Sequence, residues 1–270
     1  MVENLPGDLA SRYRSDGYYF PVNILSPQEA QAYRARLEAD EAAQGERFLK
    51  EFRHKPHLVT SWAWELVHHP LILDAVEAVL GPDLLCWESA LFMKSANSPE
   101  YISWHQDITY WGLDSDAVAT AWLALSPSTI ESGCMRVVPG SHTAEVAPHR
   151  DTYQKENLLS RGQEIEVDVD EAEAVDLVLE PGQASLHHVK IIHGSNPNRS
   201  ADRRIGFAIR YITPSVGQAV GERDSATLVR GEDRFGHFEL ENRPYKDYAA
   251  DVIAYHAVLR QRRYDILMRP

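Results

Sequence analysis

The segment Ser103-Trp104-His105-Gln106-Asp107 sets an imidazole and a carboxylate two residues apart, and in an extended strand residues i and i+2 project from the same face. A second imidazole from a distant strand would complete a two-histidine, one-carboxylate set on one side of a metal ion. Three adjacent coordination positions would then stay open for a bidentate keto acid and dioxygen. His193 is the candidate for that third ligand: it follows the strand-like run QASLHH, and Arg204 stands eleven residues beyond it, opening the run RIGFAIRYI. Arginine has a use there, because its planar fork grips a carboxylate through paired charge-assisted hydrogen bonds, and 2-oxoglutarate presents one at its distal end.

Twelve histidines compete for the ligand positions. His187 and His188 are rivals from the strand before His193, and their setting inside it favours core or supporting packing. His54, His57, His68 and His69 precede the β-type segments and read as surface or helix-end residues, while His142 and His149 follow the Pro139-Gly140 turn and read as loop residues. Trp104 reads as core packing. Tyr110 and Trp111 come just past the ligand strand, where their faces suit an apolar or quaternary ammonium substrate. Arg210, in step with Arg204 along one strand, and Arg161 in ENLLSRGQ are candidates to neutralise a substrate anion, or else ordinary ion-pair partners. The acidic run from Asp168 to Glu173 reads as a solvated loop, lacking the glycine turn and terminal glutamate of an EF-hand.

These residues need a frame. Helical signals come first: Asp8 to Ser15, stopped by Gly17; a helix opened by Ser26-Pro27-Gln28-Glu29, with N-cap, N1 proline and N3 glutamate, running towards Gly45; and Pro70 to Leu80, ended by Gly81-Pro82. From Leu84 the texture changes to β-type runs: LLCWESALFMK, YISWHQD, VATAWLAL, CMRVV, EIEVDV, DLVL, QASLHH and RIGFAIRYIT. Pro139-Gly140-Ser141, Glu180-Pro181-Gly182 and His193-Gly194-Ser195-Asn196-Pro197 mark reversals between antiparallel strands, and a closing helix spans Tyr248 to about Leu267. The expected organisation is one domain over 1–270, with a helical part at about 1–83, a sheet-rich core of two packed sheets or a barrel at about 84–214, and a C-terminal extension at 215–270.

Composition narrows the partners. Hydrophobic residues make up 44% and charged residues 25% of the 270, ordinary for a globular chain. The net charge of −13 argues against nucleic acid and against a coenzyme A ester, whose phosphates want a basic entrance. Cys86 and Cys134 are too few for a disulfide framework, which suits a reduced, cytoplasmic setting. MVENLPGDLA has no basic and apolar leader pattern, and no apolar run reaches membrane-spanning length, so neither export nor a membrane is expected.

SWHQD, TAWLAL, ESGCMRVVPGSH, LEPGQASLHH and IIHGSNPNRSADRRIGFAIRYI, in this order and covering about residues 17–214, resemble the phytanoyl-CoA dioxygenase family. The resemblance implies a mainly β fold with flanking helices, a double-stranded β-helix (jelly roll, cupin-like). It implies Fe(II) on His105, Asp107 and His193, with 2-oxoglutarate as cosubstrate anchored by Arg204, and O2 as oxidant. It places Gln106, Trp122 and Ser195 around the cosubstrate, with Lys94 nearby, and gives His142 of PGSH a structural part. One branch of the family halogenates by replacing the carboxylate ligand with a small residue, and Asp107 argues against that here. The implied activity is hydroxylation of a small-molecule substrate, with an aminophosphonate or a quaternary amine as the expected class. A catalytically silent metal- or metabolite-binding jelly roll and a zinc hydrolase on the same three ligands are the alternatives.

Overall fold

The computed structural model describes residues 5–268, so the first four residues of the MVENLPGDLA segment lie outside it. Its strands are β1 (Tyr18–Asn23), β2 (Leu84–Lys94), β3 (Ile102–His105), β4 (Val118–Ala124), β5 (Met135–Val137), β6 (His149–Asp151), β7 (Gln163–Ile165), β8 (Val175–Leu177), β9 (Gln183–His188), β10 (His193–Ser195), β11 (Arg204–Ile212), β12 (Ser225–Arg230) and β13 (Glu239–Leu240). Helices α1 (Leu9–Asp16), α2 (Pro27–Gln44), α3 (Arg47–Phe52), α4 (Ser61–Val67) and α5 (Pro70–Leu80) precede the sheets; α6 (Ile108–Trp111) follows β3, and α7 (Ala250–Leu267) comes last. None of the described helices is long and apolar enough to cross a membrane.

Seven strands form one sheet in the order β1-β9-β4-β11-β2-β12-β13, and four form a second in the order β3-β10-β5-β8. The two make a jelly roll. Alternation along β11 divides the interior. Ile205, Phe207, Ile209 and Tyr211 join the core shared with the N-terminal helices, packing with Phe48, Phe52, Trp62 and Leu66. Arg204, Ala208 and Arg210, on the other parity, line a cavity. One strand thus seals the helical layer on one face and equips a site on the other.

The capping box at α2 forms as its residues predict: Ser26 Oγ accepts from the Glu29 amide at 3.2 Å, and the Glu29 carboxylate accepts from the Ser26 amide at 2.7 Å. Other expectations shift. The sheet reaches beyond 84–214, because β1 pairs with β9 and β12 pairs with β2. His193–Ser195, expected as part of a turn, is strand β10, paired on both sides by β3 and β5. Gly194 permits this, since a Cβ there would lie 3.0 Å from the Ile102 carbonyl oxygen. Trp104 is half-buried beneath the Arg136 guanidinium, 5.4 Å from its ring centroid, and lies in none of the hydrophobic core clusters.

His57 is the clearest departure among the early histidines, buried completely where a surface or helix-end place was expected. Its Nδ1 meets Ser89 Oγ at 2.6 Å and its Nε2 meets Glu241 at 3.3 Å. Glu241 also accepts from Thr227 Oγ1 at 2.6 Å and pairs with the Lys55 ammonium, which donates to the Ser225 carbonyl at 2.8 Å. This buried network ties the chain before α4 to β2, β12 and the segment after β13. Glu241→Ala would leave the Lys55 charge buried and unpaired, so it is expected to lower unfolding free energy by roughly 3–5 kcal/mol in urea titrations. Glu241→Gln, which keeps an acceptor, should lose less.

Candidate metal centre

His105 and His193 are direct cross-strand partners of the antiparallel pair β3 and β10, with ring centroids 4.1 Å apart. Asp107 arrives differently from the sequence expectation. β3 ends at His105, and Asp107 has helical backbone angles (φ −63°, ψ −37°) at the N-terminal boundary of α6. The turn into α6, not strand parity, brings its carboxylate to the imidazoles. His105 Nε2 lies 3.4 Å from Asp107 Oδ1, and His193 Nε2 lies 3.9 Å from Oδ2. Among the described residues these three form the one cluster with the proximity a metal ion needs, their ligand atoms within 4.8 Å of one another.

The orientation of the rings suits a cation. His105 Nδ1 lies 2.9 Å from the Ser103 carbonyl oxygen and His193 Nδ1 lies 3.0 Å from that of Ile191. Each Nδ1–H therefore donates outward, and both Nε2 lone pairs face the cluster. Burial, then the His105 ring, pushes the His193 imidazole down, favouring its neutral form. Burial raises the Asp107 carboxyl, but its neighbours His105 and His193 and the Arg210 guanidinium outweigh it and hold the carboxyl well below the usual range. Two imidazole nitrogens and one carboxylate oxygen fit a divalent first-row metal with open positions. His187 packs its ring 5.0 Å from that of His193 as a buried support, and His188 lies farther out, accepting from the Lys190 amide.

The same cavity holds a fork for an anion. Arg204 is 1% exposed; its Nη1 donates to the Gly133 carbonyl at 2.7 Å, while its Nε and Nη2 are buried without a partner among the described residues. Its guanidinium lies 5.2 Å from the Trp122 ring centroid, and Gly206 makes room for that indole, because a Cβ at 206 would fall 1.9 Å from it. Lys94, directly opposite Arg204 in the register of β2 and β11, donates to Ser195 Oγ at 2.6 Å and to the Asn196 carbonyl. Burial first, and the Arg204 charge second, push the Lys94 ammonium down to about 6. A guanidinium beside an amine that a bound anion would protonate, with two buried N–H-bearing atoms left unpaired, fits a carboxylate. The structure thus gathers Trp122, Ser195, Arg204 and Lys94. Gln106 is not among the residues lining the cavity: its side-chain amide donates to the Lys190 carbonyl and accepts from the Ala147 backbone amide, clamping two loops.

Outside the triad the cavity opens into a chamber lined by Tyr110, Trp111, Arg161 and Arg210, together with Arg53, Arg263 and His54, which the sequence reading had not placed there. The aromatic faces are already engaged. Arg210 lies 4.7 Å from the Trp111 centroid and Arg161 lies 5.3 Å from that of Tyr110. A quaternary ammonium would have to compete with guanidiniums for those rings, which removes the reason for expecting such a substrate. Arg161 pairs with Asp151. His142, expected in a loop, is buried against α1 with its Nε2 at 3.1 Å from the Arg14 carbonyl oxygen, and His149 Nε2 accepts from the Gln106 amide at 2.9 Å.

Comparison with known proteins agrees with this geometry. A family model described as phytanoyl-CoA dioxygenase matches residues 13–206. The Stutzerimonas stutzeri protein named "Probable alpha-ketoglutarate-dependent hypophosphite dioxygenase" is 31% identical over 168 residues, 60% of this chain and 58% of that relative. A solved structure of the non-heme monooxygenase ThoJ, in its apo form, is 43% identical with a TM-score of 0.86, covering 96% of this chain and 97% of that one. A structure of CytC3 with Fe(II) and alpha-ketoglutarate is 25% identical with a TM-score of 0.68, covering 90% of this chain and 96% of that one. The chain spans about half the length of the first curated relatives it matches. With the family model spanning most of the chain, and a jelly roll that carries a buried His-Asp-His cluster, this protein belongs to the phytanoyl-CoA dioxygenase family of iron(II)- and 2-oxoglutarate-dependent oxygenases.

Proposed function

We propose that the protein is a dioxygenase that hydroxylates a C–H bond of a small metabolite, with iron(II) on His105, Asp107 and His193 and 2-oxoglutarate held by Arg204. The observation that carries this reading is the pair of unpartnered, buried nitrogens of Arg204 in the cavity that holds the triad. A structural metal site has no use for an anion fork beside its ligands, and neither does a hydrolase that needs only a bound water.

Iron(II), with 2-oxoglutarate and dioxygen, supplies the oxidising chemistry: the cosubstrate is converted to succinate and carbon dioxide while a C–H bond becomes C–OH. The chain supplies position and charge. The Ser103 and Ile191 carbonyls orient the two imidazoles with Nε2 towards the cluster, Asp107 would supply the anionic ligand, and Arg204 would set the cosubstrate's far end. Asp107 occupies the position a halide would need, which favours hydroxylation. Trp122 covers the Arg204 guanidinium and limits water there.

Succinate formation from 2-oxoglutarate should require iron(II) and oxygen and should be inhibited by a non-reactive 2-oxoglutarate analogue. Hydrolysis supported by zinc and indifferent to that analogue would favour the hydrolase instead. Absence of both turnover and iron-dependent 2-oxoglutarate binding would leave only the silent jelly roll.

A further inference from the structure

The chamber outside the triad is basic, in a chain whose net charge is −13. Four arginines reach it from separate parts of the sequence: Arg53 just after α3, Arg161 before β7, Arg210 on β11 and Arg263 on α7. Two have carboxylate partners, Arg161 with Asp151 and Arg263 with Glu88. The other two do not. Arg53 donates to the carbonyls of Leu91 and Leu158 at 3.0 and 3.3 Å and has no carboxylate in ion-pair range among the described residues. Arg210 is 6% exposed and its side chain makes no hydrogen bond or ion pair with any described residue; its Nε is buried and unsatisfied.

Aromatic rings hold these two guanidiniums in place. Both lie against Phe92, at 5.1 Å for Arg53 and 5.7 Å for Arg210, and Arg210 also lies over Trp111. Ring contacts fix position without satisfying N–H groups, so the Arg210 donors and those Arg53 does not spend on Leu91 and Leu158 remain available. Arg53 is pushed down to about 10 by burial first, then by the charges of Arg263 and Arg210, a mutual repulsion that an anion between them would relieve. Arg210 lines the inner cavity with Asp107 and His193 as well as the outer chamber, and therefore stands where the two meet.

We propose that the substrate carries an acidic group, a carboxylate or a phosphonate, that docks on Arg210 and Arg53 in this outer chamber. The proposal rests on the dioxygenase reading and deepens it by naming the class of molecule oxidised. An acid held at Arg210 leaves its carbon skeleton beside the metal ligands, so the same contact that selects the substrate also orients the C–H bond. It is compatible with the net charge of the chain: the average field is repulsive to anions, while this chamber gathers more arginines than carboxylate partners.

The test uses protein loaded with iron(II) and 2-oxoglutarate without oxygen, titrated calorimetrically with propionate and ethylphosphonate and with their neutral counterparts, propionamide and dimethyl ethylphosphonate. The expected result is saturable binding of at least one anion, with its neutral counterpart about tenfold weaker or worse. Arg210→Met should weaken that anion about tenfold or more, Arg53→Met less, and Arg210→Lys should recover part of the loss. Iron-dependent 2-oxoglutarate binding should stay within about twofold in each variant. Neutral ligands binding as well as anions, no anion binding at millimolar concentration, or an Arg210→Met variant that binds anions normally would each overturn the proposal. A loss confined to iron affinity would make Arg210 a support for Asp107 instead. Failure of the wild-type protein to bind 2-oxoglutarate would count against the dioxygenase reading separately, because the anion titrations can also be read on metal-free protein.

Discussion

His105→Ala and His193→Ala should each abolish iron binding and lower succinate formation by more than about a thousandfold, whereas His188→Ala should stay within a few-fold of wild type. Each alanine removes one of the two nitrogens that converge on Asp107, leaving a carboxylate and a single imidazole too few to retain the metal. His188 differs because its Nδ1 accepts from the Lys190 amide and its ring packs against His142, 5.1 Å away. His187 stands between these cases. Its ring supports that of His193 without joining the ligand set, so His187→Ala should cost about 10–100-fold in metal affinity or activity, the range of supporting residues. Iron content after dialysis and succinate yield are the two measurements. A His188→Ala variant that lost iron while His193→Ala kept it would overturn the ligand assignment.

Much of this site was legible because its parts lie in local patterns. Strand β9 and helix α5 fall within the bounds their residues suggest, since QASLHH is a compact β-type run and Gly81-Pro82 stops a helix begun at Pro70. The two histidines of the cluster were readable as residues, but strand parity was the wrong reason for Asp107: α6 is only four residues long, too short for a periodic signal, and it begins three residues after His105. Short helices α3 and α4 escaped for the same reason, and with them the burial of His57. The arginine chamber was legible only in part: Arg161 and Arg210 were candidates for a substrate anion, whereas Arg53 and Arg263 were not. Arg53, Arg161, Arg210 and Arg263 come from four distant segments, and only the packing of α7 and the chain after α3 against the end of the barrel makes one chamber of them. Net charge sums over the whole surface and cannot report such a local reversal. Gln106, a position carried over from a family pattern, has a side chain that here bonds two loop backbones, an arrangement no local sequence pattern signals.

Arg204→Met should raise the KM for 2-oxoglutarate about a hundredfold or more and abolish the stabilisation that 2-oxoglutarate gives in thermal unfolding. In the cosubstrate-free protein the same change should leave stability unchanged or slightly higher, because it replaces a guanidinium with two unsatisfied buried nitrogens by an apolar chain. That opposite sign separates an anchor from a structural residue, whose loss would lower stability with or without ligand. Arg204→Lys should rescue poorly, since an ammonium has no planar fork. Lys94 adds a pH dependence. With no carboxylate bound, burial and Arg204 push its ammonium down to about 6, so it is largely neutral at neutral pH. A bound carboxylate beside it favours the charged form, and binding above about pH 6 must therefore take up a proton. Affinity for 2-oxoglutarate should accordingly be greatest below about pH 6 and weaken as pH rises, until the pKa of the bound state is passed. Lys94→Met should flatten that slope while Arg204 still holds the ligand; a slope that persists unchanged in Lys94→Met would assign the proton to another group.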